Sequence, residues 1–198
     1  MPASRHPRDK ELTRQRILAA AVATFAEKGY NQTGVEDVVR ASDTSKGAFY
    51  YHFSGKEHLF DELLSILVDR LANDLDDAIR DRTGAANKID AALTAVLGAF
   101  ASDRPLTKIL ILDAAGLDAE RSVRLMAVRD GFAQIIAAQL EAALADGDVA
   151  PLDPQITALV WVGAILEVVT HWLRQDNPAP LLDSLPALRT ALLRTLGR

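Results

Sequence analysis

The chain has 198 residues, 49% of them hydrophobic, with a formal net charge of −5 and no cysteine. This apolar content excludes disorder over most of the length, and the length suffices for one or two domains with a substantial core. The lack of cysteine excludes disulfides, thiol catalysis and thiolate metal sites, and it fits a cytoplasmic protein. Alanine and leucine dominate, and β-branched residues rarely alternate with polar ones, which predicts an all-α fold.

The chain opens, after a short polar segment, with a helix predicted from Lys10 to Lys28 that Gly29 ends. Residues 33–56 then predict two short helices, a tight turn between them and the start of a third helix. Thr33 and Glu36 have the spacing of a capping box, in which two side chains satisfy free backbone N–H groups at a helix start. Ser54 and Glu57 repeat this pattern, so we expect a second capping box at the next long helix.

The turn itself is predicted at residues 42–44, where Asp43 tolerates the left-handed backbone that such turns often need. Ser45 is a suitable N-cap for the second short helix, which covers residues 46–52. A helix, a short turn and a second helix form the geometry that lays the second helix in the DNA major groove. The expected DNA contacts are small, cationic or amphipathic residues of this region: Thr33, Thr44, Ser45, Lys46, Gly47, Ala48, Tyr50, Tyr51, His52 and Lys56.

The charges are distributed unevenly. Residues 1–56 hold nine Lys and Arg against six Asp and Glu, whereas residues 57–198 hold 13 against 21. A basic head on an acidic body directs the head towards phosphate groups, although a segment with this small excess is common in soluble proteins. The charge therefore supports the double-stranded DNA partner without establishing it.

The segment SKGAFYYHFSGKEHLF, preceded by GYNQTGVEDVV, resembles the DNA-binding domain of the TetR family of bacterial transcriptional regulators. The resemblance covers about the first third of the chain. Gly34 replaces a second Thr of the family pattern, and Asp43 replaces a turn Gly. The resemblance implies a three-helix DNA-binding domain with a helix-turn-helix at residues 1–56. It also implies a helical ligand-binding and dimerisation domain at residues 57–198.

The rest of the chain predicts a series of helices separated by polar, Gly-containing or Pro-containing breaks. Their expected ranges are residues 55–80, 87–101, 106–114, 119–146, 154–174 and 185–196. The middle of the helix at 154–174 is apolar almost all round, which favours burial on several sides, most simply against a second copy of the chain. Its longest apolar run, residues 158–166, is shorter than the about 20 residues that span a bilayer, so no membrane partner is expected.

We expect the two C-terminal helices to pair with their symmetry mates in a homodimer, which is also where the resemblance places the dimer contact. The C-terminal region is a plausible site for a mostly apolar pocket. The candidate lining residues are Phe100, Asp113, Met126, Phe132, Trp161, Glu167, His171 and Trp172. Glu167 and His171 lie one helical turn apart and can pair, and a structural pair near the dimer seam is the alternative interpretation.

The four histidines show no metal-binding spacing, and no Gly-rich phosphate loop or nucleophile motif is present, so we expect no metal, no cofactor and no enzyme activity. The hypothesis is a repressor that binds a palindromic operator as a homodimer. The resemblance implies that a small effector releases it, and the pocket candidates favour an apolar or amphipathic one. A DNA-binding protein without an inducer is the first alternative. A small helical enzyme is the second, and it would need a polar catalytic cluster that the sequence does not show.

Overall fold

The computed structural model describes residues 7–112 and 119–197, and these residues form α-helices without any β-strand. The predicted all-α fold is confirmed. In chain order the helices are α1 Pro7–Lys28, α2 Val35–Ala41, α3 Lys46–His52, α4 Lys56–Ile79, α5 Ala85–Ser102, α6 Arg104–Ile111, α7 Ala119–Ala145, α8 Pro154–Leu173 and α9 Leu185–Arg194, with a 3-10 turn at Leu181–Ser184 before α9.

The helix ends follow local chemistry where one residue controls the backbone. Gly29 has a φ of 82° directly after α1, and Asp43 has a φ of 51° in the turn between α2 and α3. Ser45 caps α3 because its hydroxyl accepts the backbone N–H of Ala48 at 3.1 Å. Asp153 caps α8 in the same way, and Pro154 occupies the first turn. The predicted Ser45 cap and the left-handed Asp43 are confirmed.

The start of α2 differs from the prediction. Its N-cap is Gly34, whose N–H donates to the Asp37 carboxylate at 3.0 Å, so the capping box lies one residue later than expected. Thr33 is buried instead, and its hydroxyl donates to the carbonyl of Gly29 at 2.9 Å. Because the Thr33 hydroxyl closes the turn after α1, the Thr33–Glu36 box was wrong, and Asp37 rather than Glu36 accepts the Gly34 N–H at the start of α2.

The start of α4 also differs. The backbone N–H of Ser54 donates to Nδ1 of His58 at 3.2 Å, so the acceptor that a capping box assigns to Glu57 is His58. His58 lies one residue further along and its ring packs edge-on against Phe53, with centroids 5.8 Å apart. Packing of this ring against the aromatic core positions its nitrogen over the helix start, which the T/S-x-x-E spacing does not reveal.

The chain divides into two compact units. One comprises Met1–Leu67 with Pro105–Leu117, and the other comprises Val68–Arg104 with Asp118–Arg198. The division therefore falls inside α4. The domain boundary that we expect after Lys56 remains a prediction.

The N-terminal unit has an aromatic core. Tyr30 lies edge-on to both Phe25 and Phe60, with ring centroids 5.2 and 5.1 Å apart, and Phe49 packs against Phe53 at 5.8 Å. All five side chains are buried. Helices α2 and α3 have seven residues each, too short to be stable alone in water, so this core is what holds them against α1.

The C-terminal unit is built mainly on the packing of α7 against α8, where Ala133 and Ala137 contact Ala158. Small side chains at this seam let the two helices approach closely. Arg104 secures the far end of α8, because its guanidinium donates to the carbonyls of Leu173 and Gln175 at 3.1 and 2.7 Å. Cations at a helix C-terminus satisfy free carbonyls and oppose the helix dipole.

Within the described part of the chain, helix α8 has the length and apolar composition of a helix that could cross a membrane. Of its most apolar window, 28% is buried within the chain. The uninterrupted apolar run at residues 158–166 is too short for a span, but the whole helix is long enough and contains few charges. A core helix of a soluble protein passes the same test, so the finding is weak evidence for a membrane span.

Candidate DNA-binding surface

Helix α3 presents one buried and several exposed side chains. Phe49 is buried and anchors the helix, whereas Tyr50 and Tyr51 are 55% and 63% exposed. Gly47 is exposed and Ala48 is half-buried, so small residues lie near the start of this helix. The exposed face therefore combines two aromatic rings with polar tips and a backbone that a duplex can approach closely, as expected from the sequence.

The turn before α3 is held by hydrogen bonds to α1. The Arg16 guanidinium donates to the carbonyls of Ser42 and Asp43 at 2.8 and 3.1 Å, and it also contacts the Asp43 carboxylate. Ser42 and Thr44 share a hydroxyl–hydroxyl hydrogen bond of 2.7 Å. Thr44 is thus positioned inside the turn, and Arg16 fixes the turn's backbone.

Thr33 and Lys56, two of the predicted contact residues, donate to backbone carbonyls of the loop after α1. The buried Thr33 hydroxyl donates to Gly29. The Lys56 ammonium donates to the Tyr30 carbonyl at 3.0 Å and lies 4.4 Å from the centre of the Tyr30 ring. Lys56 is half-buried in this position, so it ties the start of α4 to the loop after α1. Its contact with DNA stays a prediction.

Lys46, at the first position of α3, forms an ion pair with Glu36 on α2, with 2.8 Å between Nζ and Oε1. The hydrogen bond with Glu36 raises the pKa of Lys46, and the same bond is the main reason that the pKa of Glu36 is lowered. Both groups are solvent-exposed. Lys46 therefore faces solvent as half of an ion pair.

The C-terminal end of α3 contacts the start of α1. Lys10 donates to the Tyr51 hydroxyl at 2.8 Å and lies 5.0 Å from the centre of that ring. Burial, and secondly the positive charge of Arg14, lowers the pKa of His52. Lys10 thus adds a cation beside the exposed face of α3. The sequence analysis missed it, and no local pattern signals it, because 41 residues separate Lys10 from Tyr51.

Arg40 is a second cation that the sequence analysis did not select. It lies in the last turn of α2, and its side chain is 78% exposed while it contacts the Asp37 carboxylate at 3.7 Å. The signal for it was available, since an arginine at the end of the first helix of a helix-turn-helix lies near the DNA backbone whenever the second helix enters the groove.

The predicted ligand-pocket residues differ in their burial and in their partners. Phe100 and Trp161 are buried, and the Trp161 indole N–H donates to the Thr195 hydroxyl at 3.0 Å. The Trp172 indole donates to the Ala179 carbonyl, and the Arg104 guanidinium lies over its ring at 5.2 Å. Both indoles therefore have structural partners.

Met126, Glu167 and His171 are exposed, and Phe132 is half-buried. Asp113 lies outside the described residues. Met126 lines an open cavity of about 220 Å³; the other lining residues are Arg129, Asp130, Leu159 and Val162. A larger open cavity of about 510 Å³ lies between α4 and α5, and the sequence analysis selected none of the residues that line it: Arg70, Asp74, Ala95, Gly98, Ala99 and Ser102. The predicted pocket residues stay predictions.

Over residues 7–112 and 119–197, no group of three or more His, Asp or Glu side chains has a metal-binding arrangement. What this part of the chain does show is a three-helix head whose second and third helices are joined by a tight turn. The head presents aromatic and cationic side chains on α3, and a helical body follows. This arrangement defines a helix-turn-helix DNA-binding regulator.

Comparison with known proteins specifies the family. Residues 17–63 match the bacterial regulatory proteins of the tetR family, and residues 82–179 match the tetracyclin repressor-like C-terminal domain. The HTH-type transcriptional regulator SrpR of Pseudomonas putida is 30% identical over 193 residues, covering 94% of this chain and 87% of SrpR. The chain belongs to the TetR family and is a DNA-binding transcriptional regulator.

Two further similarities concern fatty acid regulators. The fatty acid metabolism regulator protein of Bacillus subtilis is 23% identical, covering 91% of each chain. The structure of FadR from Bacillus subtilis in complex with stearoyl-CoA superposes with a TM-score of 0.79 at 22% identity, covering 90% of this chain and 97% of that chain. The proteins compared here are regulators rather than enzymes, and the structural likeness shows the shared fold.

Proposed function

We propose that this protein represses transcription by binding a palindromic operator as a homodimer, with α3 of each protomer in the major groove. The observation that carries the proposal is the exposed face of α3, where Tyr50 and Tyr51 project beside Lys46 while Phe49 anchors the helix. Two such helices related by a two-fold axis meet successive major grooves roughly 34 Å apart. The operator would therefore consist of inverted half-sites with that spacing.

The direct test is a gel shift with the DNA immediately upstream of the protein's own coding region. A sharp shift that an excess of unrelated duplex does not remove would support the proposal. Tyr50→Ala should weaken this shift at least tenfold, because an exposed base-facing ring is lost while the fold is kept. If neither this fragment nor a random-sequence pool is shifted at low salt, operator binding is refuted.

For the dimer, the proposal assigns the contact to α8 with a contribution from α9. Ile156, Leu159 and Val160 are 58%, 53% and 54% exposed in the single chain and share one side of α8. The buried residues of α9, Leu188 and Leu192, face the chain's own core. Covering the apolar side of α8 with a second copy would remove it from water, which favours association by about 25 cal/mol per Å² buried.

Leu159→Ser tests this interface, and Ile135→Ser on α7 is its matched control, since both side chains are large, apolar and exposed in the single chain. We expect Leu159→Ser to raise the dimer dissociation constant at least tenfold in analytical ultracentrifugation, and Ile135→Ser to leave it unchanged. The reverse result would place the contact on α7 and refute the assignment to α8.

For the effector, the proposal is an amphipathic molecule bound in the C-terminal unit that shifts a two-state equilibrium away from the operator-binding form. Its support is that relatives include a fatty acid metabolism regulator and a FadR structure with stearoyl-CoA. The test uses stearoyl-CoA, with free coenzyme A as its control. A raised melting temperature and a released gel shift with stearoyl-CoA alone would support an acyl effector. No response to either compound would favour the inducer-free alternative.

A further inference from the structure

The helix-turn-helix has no net charge of its own. Residues 31–56 contain three Lys and Arg and three Asp and Glu, although the protein binds a polyanion. Each of the three carboxylates also contacts a cation of the same chain. The pairs are Glu36 with Lys46, Asp37 with Lys28 and Arg40, and Asp43 with Arg16. Lys46, a predicted DNA contact, is thus paired with a carboxylate before DNA arrives.

The Glu36–Lys46 ion pair differs from the other three in the position of its cation. Lys28 lies at the end of α1, and Arg16 fixes the turn, but Lys46 begins the helix that is expected to enter the major groove. The Lys46 and Glu36 side chains are 61% and 60% exposed, so neither is fixed by burial. At the start of α2, the Gly34 N–H is accepted by Asp37 and not by Glu36, whose carboxylate accepts its own backbone N–H.

We propose that Glu36 is a specificity-determining residue, which occupies Lys46 and thereby removes it from sequence-independent DNA binding. The inference rests on the proposed function, in which α3 faces DNA. A lysine that moves from a carboxylate to a phosphate leaves the carboxylate to recruit a cation from solution. The exchange releases no net counterion, and counterion release is the main source of non-specific affinity. Base contacts made by the rest of α3 are not reduced in this way.

Glu36→Gln removes the carboxylate charge while keeping the side-chain shape. On an unrelated duplex, where no base contacts hold α3 in register, Lys46 is then free to add one phosphate contact, which steepens the dependence of log K on log salt by about 0.9. That slope corresponds to about fivefold tighter binding to the unrelated duplex at 0.15 M salt. On the operator, base contacts fix the position of α3, so we expect operator binding to tighten less and the ratio of operator to unrelated affinity to fall.

The control is Glu36→Gln in a chain that also carries Lys46→Gln. In the otherwise wild-type chain, Lys46→Gln should change the salt slope little, because Glu36 already neutralises the lysine. In the Glu36→Gln chain, Lys46→Gln should remove the whole gain of about 0.9 in salt slope. A gain from Glu36→Gln that persists in the Lys46→Gln background would overturn the proposal, since it would come from general charge and not from released Lys46.

The measurements also separate this inference from the proposed function. Both duplexes are titrated with the full-length wild type and the three variants, after thermal melts confirm that all four fold alike. If the wild type binds its operator and Glu36→Gln leaves affinity and slope unchanged, the role of Glu36 is refuted and operator binding stands. If the wild type binds no duplex at any salt concentration, both are refuted.

Discussion

The two units of this protein use their apolar residues in opposite ways. In the N-terminal unit, buried rings such as Phe25, Phe49 and Phe60 hold helices that are too short to be stable alone. In the C-terminal unit, long helices pack through alanines, and α8 leaves Leu159 and Val160 exposed. A small unit with short helices depends on particular side chains. Long helices can instead form their core from many small apolar side chains, none of which is decisive by itself.

The substitution with the largest expected effect on stability is Phe49→Ala. Phe49 is the one buried residue of the seven-residue α3, so its loss should destabilise the N-terminal unit by about 3–5 kcal/mol and abolish operator binding. Chemical denaturation followed by circular dichroism measures the change. The neighbouring Tyr50→Ala serves as the control, since an exposed ring should cost little stability. Equal destabilisation by both substitutions would show that α3 is not held by its buried side.

In the C-terminal unit the comparable single residue is Arg104. Arg104→Ala removes two charged hydrogen bonds to the end of α8 and the guanidinium over Trp172. We expect a loss of about 1.5–3 kcal/mol in unfolding free energy. Arg82→Ala, at an exposed position after α4, is the matched control and should stay within about 0.5 kcal/mol of the wild type. A neutral Arg104→Ala would mean that packing alone secures α8.

Two substitutions of Asp43 should change the stability of the N-terminal unit by smaller amounts and in opposite directions. Its φ of 51° costs an ordinary side chain about 1 kcal/mol, so Asp43→Gly should stabilise the N-terminal unit by up to that amount and Asp43→Ala should destabilise it. The lost contact with Arg16 is exposed and contributes little, and the Arg16 bonds to backbone carbonyls remain. Thermal unfolding of both variants measures this, and equal effects of the same sign would contradict a strained turn.

His52 gives the smallest effect, which depends on pH. Burial, and secondly Arg14, lowers its folded-state pKa below the ordinary value of 6.5, so the unfolded chain binds the proton more readily. Its contribution to stability is present above pH 6.5 and is lost as the pH falls through the lower folded-state pKa. His52→Gln should flatten this part of the stability–pH curve. Unfolding curves of the wild type and of this variant, recorded across this pH range, measure the difference, and identical curves would contradict it.

The candidate site was predictable where one residue acts on its own backbone. Asp43 in the turn and Ser45 at the start of α3 could be identified from residue type alone, because left-handed backbone and N-caps select for specific side chains. The exposed aromatic face of α3 followed from the same local reasoning. The pocket residues could not be identified in this way, since apolar side chains at helical spacing look alike whether they face a core, a ligand or a second copy.

The sequence by itself therefore determined the all-α fold, the turn between α2 and α3 and the family, because these depend on local backbone preferences and on residues close together in the chain. Only the tertiary structure decided the partners of the polar groups. It assigned Thr33 to the loop after α1, Glu36 to Lys46 and Arg104 to the end of α8. Partners such as Arg104 and Gln175 are 71 residues apart, and folding selects them by proximity in space, which sequence spacing does not encode.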